Sequence, residues 1–157
     1  MLQSPCKGCE KRAQEIREVK EMRVVLEPWA CMPIRGHADD AGLDLRTPED
    51  VLVKSMSSAT IDTGVHVELD KNTFGKLESK SGLNVKHGIV SLGGVIDCGY
   101  TGSIVVKLYN FGEDYQFHAG DKIVQMIIQP CIIPALEVVD SLEDTERSDS
   151  GFGSTGK

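Results

Sequence analysis

An aspartate and a tyrosine stand close together in a glycine-rich stretch of this chain, residues 93–102, which reads GGVIDCGYTG. An apolar run precedes Asp97 and the strand-like run SIVVKLYN follows Gly102, so the pattern predicts a β-hairpin with Asp97 and Tyr100 at its tip. A carboxylate held on a tight turn can orient a water molecule, and the backbone beside it can hydrogen-bond a planar ligand. Taken alone, the stretch is also typical of an ordinary aspartate-containing turn that has no chemical role.

Length and charge exclude several classes of function. The 157 residues are enough for one domain with a core of its own. The net charge is −7, and there is no basic patch with interleaved aromatic residues, which argues against a protein that binds duplex nucleic acid. No segment has the apolar length of a membrane helix, and the polar start MLQSPCKGCEKR lacks the pattern of a signal peptide. We therefore expect a soluble, cytoplasmic protein that does not associate with a membrane.

The chain has 5 cysteines, an odd number that suggests no disulfide framework. Cys6 and Cys9 have the spacing of half a zinc site, but no second pair follows. They are either two reduced thiols or half of a site that a neighbouring subunit completes. Both lie in a leader, residues 1–21. Apolar residues recur every three positions between Glu10 and Met22, which predicts a short helix that docks on the domain or on a partner.

From Arg23 onwards the sequence changes to short runs rich in β-branched residues, separated by turn signals such as Asp-Thr-Gly and Ala-Gly-Asp. Many short strands at this spacing predict an all-β fold, built as an antiparallel sandwich or barrel. One helical turn is expected inside the β region, at residues 81–87. The predicted strands are RVVLE, VLVK, ATIDT, VHVEL, TFGKLE, GIVSLGGVI, SIVVKLYN, KIVQMIIQ and IIPALEVV.

The apolar rhythm stops after Val139, and residues 140–157 are polar and rich in glycine and serine. This composition is typical of a frayed terminus. Yet the order RSDSGFGSTG combines an arginine that can grip an anion, a phenylalanine that can stack on a base, and glycines that let the backbone approach a phosphate. The tail is therefore either flexible or an arm that folds over a nucleotide.

The histidines are predicted to be surface residues without a chemical role. One precedes the first motif described below, one lies in an alternating strand, one ends the helical turn and one lies in a loop. In that order they are His37, His66, His87 and His118.

Three further segments, taken in order with the Asp97 stretch and the tail, complete a set of five motifs. They are AGLDL at 41–45, ESKSGL at 78–83 and GDKIVQM at 120–126. In order and separation the five segments resemble the motifs of the trimeric dUTPase family, over residues 22–157. The resemblance implies an all-β fold of the dUTPase type, a distorted antiparallel β-barrel or jelly roll. Its β domain is expected at residues 22–139, with residues 140–157 as an arm that closes over the active site.

The resemblance also implies hydrolysis of dUTP to dUMP and pyrophosphate. Asp97 would be the base that activates water at the α-phosphorus, Tyr100 would lie under the deoxyribose, and Asp44 would contact a Mg²⁺ ion through water. Backbone groups would read the uracil, and the free N–H groups of a helical turn would suit a phosphate. The implied uracil contacts are Gly94, Val95, Ile96 and Phe152, and the implied phosphate contacts are Lys80, Ser81, Gly82, Gln125, Arg147, Gly153, Ser154 and Thr155.

By the same resemblance the protein is a homotrimer in which all three subunits contribute to each site, and its activity lowers dUTP and supplies dUMP for thymidylate synthesis. Lys80 and Lys122 stand where many members have arginine, which replaces a fork of donors by a point charge. Two other functions stay open at this stage. One is a dCTP deaminase of the same fold, and the other is a nucleotide-switched regulatory protein of viral or mobile-element origin that binds a protein partner through the leader.

Overall fold

The computed structural model describes residues 21–145, which form eleven strands and one helix. The leader up to residue 20, with Cys6 and Cys9, and the arm from residue 146 lie outside the described residues. The elements are β1 (Val24–Leu26), β2 (Leu43–Arg46), β3 (Val51–Val53), β4 (Ser57–Asp62), β5 (Val65–Val67), β6 (Thr73–Ser79), α1 (Ser81–His87), β7 (Ile89–Ser91), β8 (Val95–Asp97), β9 (Val105–Asn110), β10 (Tyr115–Phe117) and β11 (Lys122–Pro130).

The strands pair antiparallel throughout and form four hydrogen-bonded sheets. The largest has the order β2-β11-β6-β8, and the next has the order β4-β9-β7. Two smaller sheets pair β1 with β5 and β3 with β10. The hydrogen bonds among residues 21–145 do not close a barrel, but the arrangement is consistent with a jelly roll. The prediction of an all-β antiparallel domain is therefore confirmed.

The core is one apolar cluster to which both larger sheets contribute. In β9, Val106 and Leu108 are buried while Val105 and Lys107 are exposed, which is the period of a half-buried strand. In β11 the two consecutive residues Ile123 and Val124 are both buried, because the register of β11 against β2 shifts at this point. The bulge leaves the polar residues on either side of this pair on the face away from the core.

The prediction of a β-hairpin at residues 93–102 is wrong. β8 pairs with β6 of the large sheet, whereas β9 pairs with β4 and β7 of the other sheet. Both edges of β9 are occupied, so β8 has no edge of β9 left to pair with. The stretch is instead a crossover between two sheets, and a tight turn follows β8, in which the Tyr100 amide donates to the Asp97 carbonyl at 3.0 Å.

The prediction of a last strand at residues 132–139 is also wrong, because no strand is formed there. The segment has the apolar composition of a strand, but nothing in the described part of the chain covers it. Ile132 is 93% exposed, Leu136 94% and Val138 99%. Conversely, β2 and β10 form where no strand was predicted, since their polar side chains obscured the strand pattern.

The helical turn predicted at residues 81–87 is confirmed as α1. It ends at Gly88, whose left-handed φ of 68° lets its amide donate to the Asn84 carbonyl at 2.9 Å. The Gly88 carbonyl in turn accepts from the Phe111 amide, which ties the end of α1 to the turn after β9. Within residues 21–145 we find no helix with the length and apolar character that crossing a bilayer requires.

Candidate active site

Polar side chains cover one face of the large sheet where β2, β11 and β6 run side by side. Asp44 is paired with Gln125, and Gln125 is paired with Glu78, so these residues form one row across three strands. Lys122 is paired with Arg46 in the next row. Because side chains alternate along a strand, this face lies opposite the one that enters the core. The sheet thus presents a charged surface on a rigid support.

Two lysine ammonium groups converge on the buried carboxylate of Asp44. Asp44 is 5% exposed, with Lys80 Nζ 2.5 Å from its Oδ1 and Lys122 Nζ 2.7 Å from its Oδ2. Lys80 follows the end of β6 and Lys122 begins β11, so the strand order itself brings the three charges together. In the sequence, Lys122 stands out only as a replacement for arginine, and its contact with Asp44 was not predicted. Its position in the GDKIVQM segment is the signal that could have indicated it.

The electrostatics of this cluster favour an anionic ligand. Burial raises the pKa of Asp44, but the hydrogen bonds from Lys122 and Lys80 lower it by more, so the net pKa lies below that of an ordinary aspartate. The carboxylate is therefore ionised at neutral pH and fixes both ammonium groups in place. Glu78 in the same row is paired with Lys76. Among the remaining three side chains, one carboxylate against two ammonium groups leaves an excess of positive charge, and each ammonium has three protons to donate.

The start of α1 adds free backbone donors beside this cluster. The first bond of the helix runs from the Asn84 amide to the Lys80 carbonyl at 2.9 Å, so the amides of Ser81, Gly82 and Leu83 are not used within the helix. Ser81 and Gly82 are exposed, and a Cβ added at Gly82 would meet no atom within 4 Å. Backbone and side-chain donors at this point are thus open to a ligand, and the phosphate contacts expected of Ser81 and Gly82 stay predictions.

Gln125 is held against a glycine on the same face. A Cβ added at Gly42 would overlap Gln125 Oε1, so a larger residue at position 42 would require the Gln125 side chain to move. The amide Nε2 of Gln125 lies 3.3 Å from the Ser79 carbonyl. The structure therefore brings Asp44, Lys80 and Gln125 into one neighbourhood, next to Ser81.

The loop after β8 presents the second group of predicted residues. Asp97 is exposed at the end of β8, and within residues 21–145 its carboxylate has neither a hydrogen bond nor an ion pair. Tyr100 is 45% exposed and its hydroxyl donates to the Ser103 carbonyl at 2.8 Å. The Tyr100 ring lies against Gly102, where an added Cβ would be 2.5 Å from its hydroxyl oxygen. The loop thus offers a free carboxylate beside a fixed aromatic ring.

The outer edge of β8 is open to a planar ligand. Leu77 donates to the Gly94 carbonyl at 2.8 Å, so the backbone groups of Gly94 and, by alternation, Ile96 face β6. Those of Val95 point to the other edge, which no strand among residues 21–145 occupies. Gly94 has a φ of 118°, and an added Cβ would lie 2.5 Å from Leu77 Cβ, so only glycine permits this path.

The two groups of residues are far apart within one chain. Gln125 of β11 pairs with Glu78 on one side of β6, and Asp97 of β8 pairs with Phe74 on the other side of β6. Four residues along a strand and two strand spacings across it give a separation of about 16 Å. A general base must be within hydrogen-bond reach of its water, so a ligand bound at α1 is too far from the Asp97 of the same chain.

The residues present fit a magnesium ion that is held mainly by a ligand. Within residues 21–145 no group of three or more acidic, histidine or cysteine side chains could hold a metal by itself. Each carboxylate oxygen of Asp44 accepts one lysine hydrogen bond, which leaves a lone pair on each oxygen for a water. Magnesium usually keeps several waters and binds phosphate oxygens, as this donor set requires.

Other predictions for the site have different outcomes. The phosphate and uracil contacts expected from the tail lie outside the described residues, and their roles stay predictions. They are Arg147, Phe152, Gly153, Ser154 and Thr155.

His66, which was expected to be a surface residue, has a side chain only 23% exposed and bonds the loop that carries Tyr100. The sequence carried no signal for this contact, because it joins residues 35 positions apart.

Comparison with known proteins indicates the family of this chain. A family model described as dUTPase matches residues 29–156. The deoxyuridine 5'-triphosphate nucleotidohydrolase of Paramecium bursaria Chlorella virus 1 is 42% identical over 128 residues, which is 81% of this chain and 91% of the viral protein. The rat protein of that name is 39% identical over 98% of this chain and 75% of its own length.

Solved structures give the same result. The Staphylococcus bacteriophage 80alpha dUTPase, solved with dUpNHpp, superposes with a TM-score of 0.81 at 30% identity, over 88% of this chain and 100% of the phage chain. A point mutant of the dUTPase from phage phi11 of S. aureus, described as coordinating a structural Mg(II) ion, has a TM-score of 0.73 at 29% identity, over 80% and 100% of the two chains. The chain therefore belongs to the dUTPase family.

Proposed function

We propose that this chain hydrolyses dUTP to dUMP and pyrophosphate, with Asp97 as the general base. The observation that carries the proposal is the family match together with the exposed Asp97 carboxylate, which no group within residues 21–145 bonds, beside a β8 edge that no strand in that range occupies. Asp97 orients a water and takes its proton as the water attacks the α-phosphorus, and pyrophosphate leaves. The reaction lowers dUTP and supplies dUMP for thymidylate synthesis.

The phosphates bind at the start of α1 and the Asp44 cluster. Lys80 and Lys122 offer positive charge, and the free amides of Ser81 and Gly82 offer hydrogen bonds. Asp44 would hold a magnesium ion through water together with the phosphates, and the bound ion would supply positive charge to the phosphate oxygens. The two lysine ammonium groups also neutralise charge on the phosphate oxygens, because they lie on the same face of the sheet.

The loop that carries Tyr100 selects the nucleoside. The N–H and C=O groups of Val95 at the open edge of β8 match the alternating donors and acceptors of uracil, and cytosine would leave some of them unpaired. Each buried mismatch costs about 1–3 kcal/mol. The Tyr100 ring lies under the deoxyribose, where it leaves no room for a 2′-hydroxyl.

The distance between the two groups of residues supports a site assembled from several copies of the chain. If Asp97 of one copy faces α1 of another, the separation of about 16 Å within a chain is no obstacle. The exposed apolar segment 132–139 gives a second reason, because side chains such as Leu136 and Val138 need a partner to cover them. We propose a homotrimer, with the arm of a third copy, residues 140–157, closing each site.

The substrate is tested by measuring pyrophosphate release from dUTP, dTTP, dCTP and UTP in the presence of magnesium. We expect release from dUTP and little from the other three nucleotides. An ammonia assay with dCTP tests the deaminase of the same fold, and ammonia without pyrophosphate would refute the diphosphatase. Binding of dUTP without either product would support the regulatory alternative instead.

The base is tested with Asp97→Asn, which keeps the shape of the side chain but cannot accept the proton. We expect the variant to bind dUTP with normal affinity and to lose turnover by a factor of about 10²–10⁴. Near-normal turnover would refute the role of Asp97.

We place the activity in the cytoplasm, where the free thiols of Cys31, Cys98 and Cys131 would stay reduced.

A further inference from the structure

The loop that carries Tyr100 is bonded to the β4–β5 region by the side chains of His66 and Asp62, and at its end the Ile104 backbone bonds Thr63 and Val65. The Thr101 carbonyl is 2.8 Å from His66 Nδ1, and the Ser103 hydroxyl bonds Asp62 Oδ1. The Tyr100 hydroxyl donates to the Ser103 carbonyl, so the ring is linked to the same segment. The loop is therefore held by side chains that lie outside the five motifs.

The hydrogen bond to Thr101 fixes which nitrogen of the His66 ring carries the proton. A carbonyl oxygen can only accept, so Nδ1 must carry the proton that is donated to Thr101. The other ring nitrogen, Nε2, lies 3.4 Å from Glu27 Oε1. His66 stands between the buried residues Val65 and Val67 of β5, so the backbone that carries the ring is anchored in the core.

We propose that His66 is a positioning residue that sets the selectivity for deoxyribose, an inference that rests on the proposed function. Thr101 follows Tyr100 directly, and the Tyr100 ring packs on Gly102 with no space for another atom. The place of the ring is thus determined by the backbone of residues 100–103. The hydrogen bond from His66 holds that backbone, and with it the ring that excludes a 2′-hydroxyl.

Loss of this hydrogen bond should relax selectivity more than catalysis. Asp97 lies on β8, which is held by its own pairing with β6, so the base keeps its place when the loop shifts. The ratio of kcat/KM for UTP to kcat/KM for dUTP should rise about threefold to tenfold, because this factor corresponds to the net free energy of one hydrogen bond. Turnover of dUTP should change little.

Two substitutions of His66 separate the hydrogen bond from the bulk of the ring. In His66→Asn the amide nitrogen stands as far from Cβ as Nδ1 does, so it can donate to Thr101. In His66→Gln the amide nitrogen stands at the position of Nε2 and misses Thr101. His66 borders an open cleft of about 730 Å³, so both shorter or thinner side chains fit without overlap. We expect both variants to fold, which thermal unfolding checks.

The measurement is kcat/KM for UTP and dUTP with the wild-type protein and both variants. We expect His66→Asn to keep the wild-type ratio and His66→Gln to raise it. Wild-type ratios in both variants, or equal increases in both, would overturn the inference. A wild-type protein that does not hydrolyse dUTP would instead refute the proposed function, so the two failures can be told apart.

Discussion

Replacement of Asp44 by asparagine tests the charge cluster on which phosphate binding depends. The substitution preserves the shape of the side chain but removes its charge. One amide oxygen can still accept from a lysine, but the amide NH₂ group then faces the other ammonium, donor against donor. Two cations are left close together without a counter-charge.

The expected loss of stability can be estimated from burial. Removing one partner of a fully buried ion pair costs about 3–5 kcal/mol. The side chains of Lys80 and Lys122 are 26% and 38% exposed, so both can turn partly towards water when Asp44 is lost. We therefore expect a smaller loss of about 2 kcal/mol in the free energy of unfolding, or a fall in Tm of about 4–8 °C.

The effect should depend on pH in a direction fixed by the Asp44 pKa. This pKa is lowered in the folded protein, so the unfolded chain binds more protons in the acid range. The stability that Asp44 contributes is fully present above about pH 4, its unfolded pKa, and is lost as the pH falls through the lower folded value. The difference between wild type and Asp44→Asn should be constant from neutral pH to about pH 5 and shrink below pH 4.

The assay is urea unfolding of both proteins at equal protein concentration across this pH range, since the stability of an oligomer depends on concentration. Asp39→Asn is the matched control, because Asp39 is exposed in the same region of the chain and should leave the stability unchanged. If Asp44→Asn were as stable as Asp39→Asn at neutral pH, the lysines would not depend on Asp44 and the reasoning would be refuted.

Three further predictions concern other parts of the molecule. Gly94→Ala should destabilise the protein by about 2 kcal/mol or more and distort the edge of β8, because φ is 118° and the new Cβ would meet Leu77; an unchanged urea midpoint would contradict this. Leu136→Lys combined with Val138→Lys should lower the mass measured by light scattering from that of an oligomer to that of a monomer, whereas an unchanged mass would exclude this segment from the interface. Deletion of residues 146–157 should leave Tm unchanged and weaken dUTP hydrolysis, and full activity would show that the arm has no role in the site.

Local structure near the motifs was more predictable than the path of the chain between them. The five motifs were identified by their resemblance to those of the dUTPase family, and the prediction of α1 at residues 81–87 was correct. The hairpin prediction failed because local sequence shows that two strands are near each other along the chain, but not which edges are free. Only the full sheet reveals that β4 and β7 already occupy both edges of β9.

Contacts between distant parts of the sequence account for the other differences. The ion pair of Lys122 with Asp44 joins positions 78 residues apart, and it depends on β11 lying beside β2. The bond from His66 to Thr101 depends likewise on the loop after β8 passing over β5. The segment 132–139 led to an error of the opposite kind, because an apolar run predicts burial without showing which chain covers it.

The most direct test of a site shared between copies is complementation between two inactive variants. Asp97→Asn lacks the base, and Ser81→Glu places a carboxylate where a phosphate should bind, at an exposed first helical position that tolerates it. The two variants are unfolded together in equal amounts, refolded, and assayed for pyrophosphate release from dUTP. If each site takes Asp97 from one copy and α1 from another, random assembly leaves about one quarter of all sites intact, one in each mixed trimer, and activity returns to about that fraction of wild type. Activity no higher than that of the separate variants would mean that the base and the phosphate site belong to the same chain, which contradicts the account.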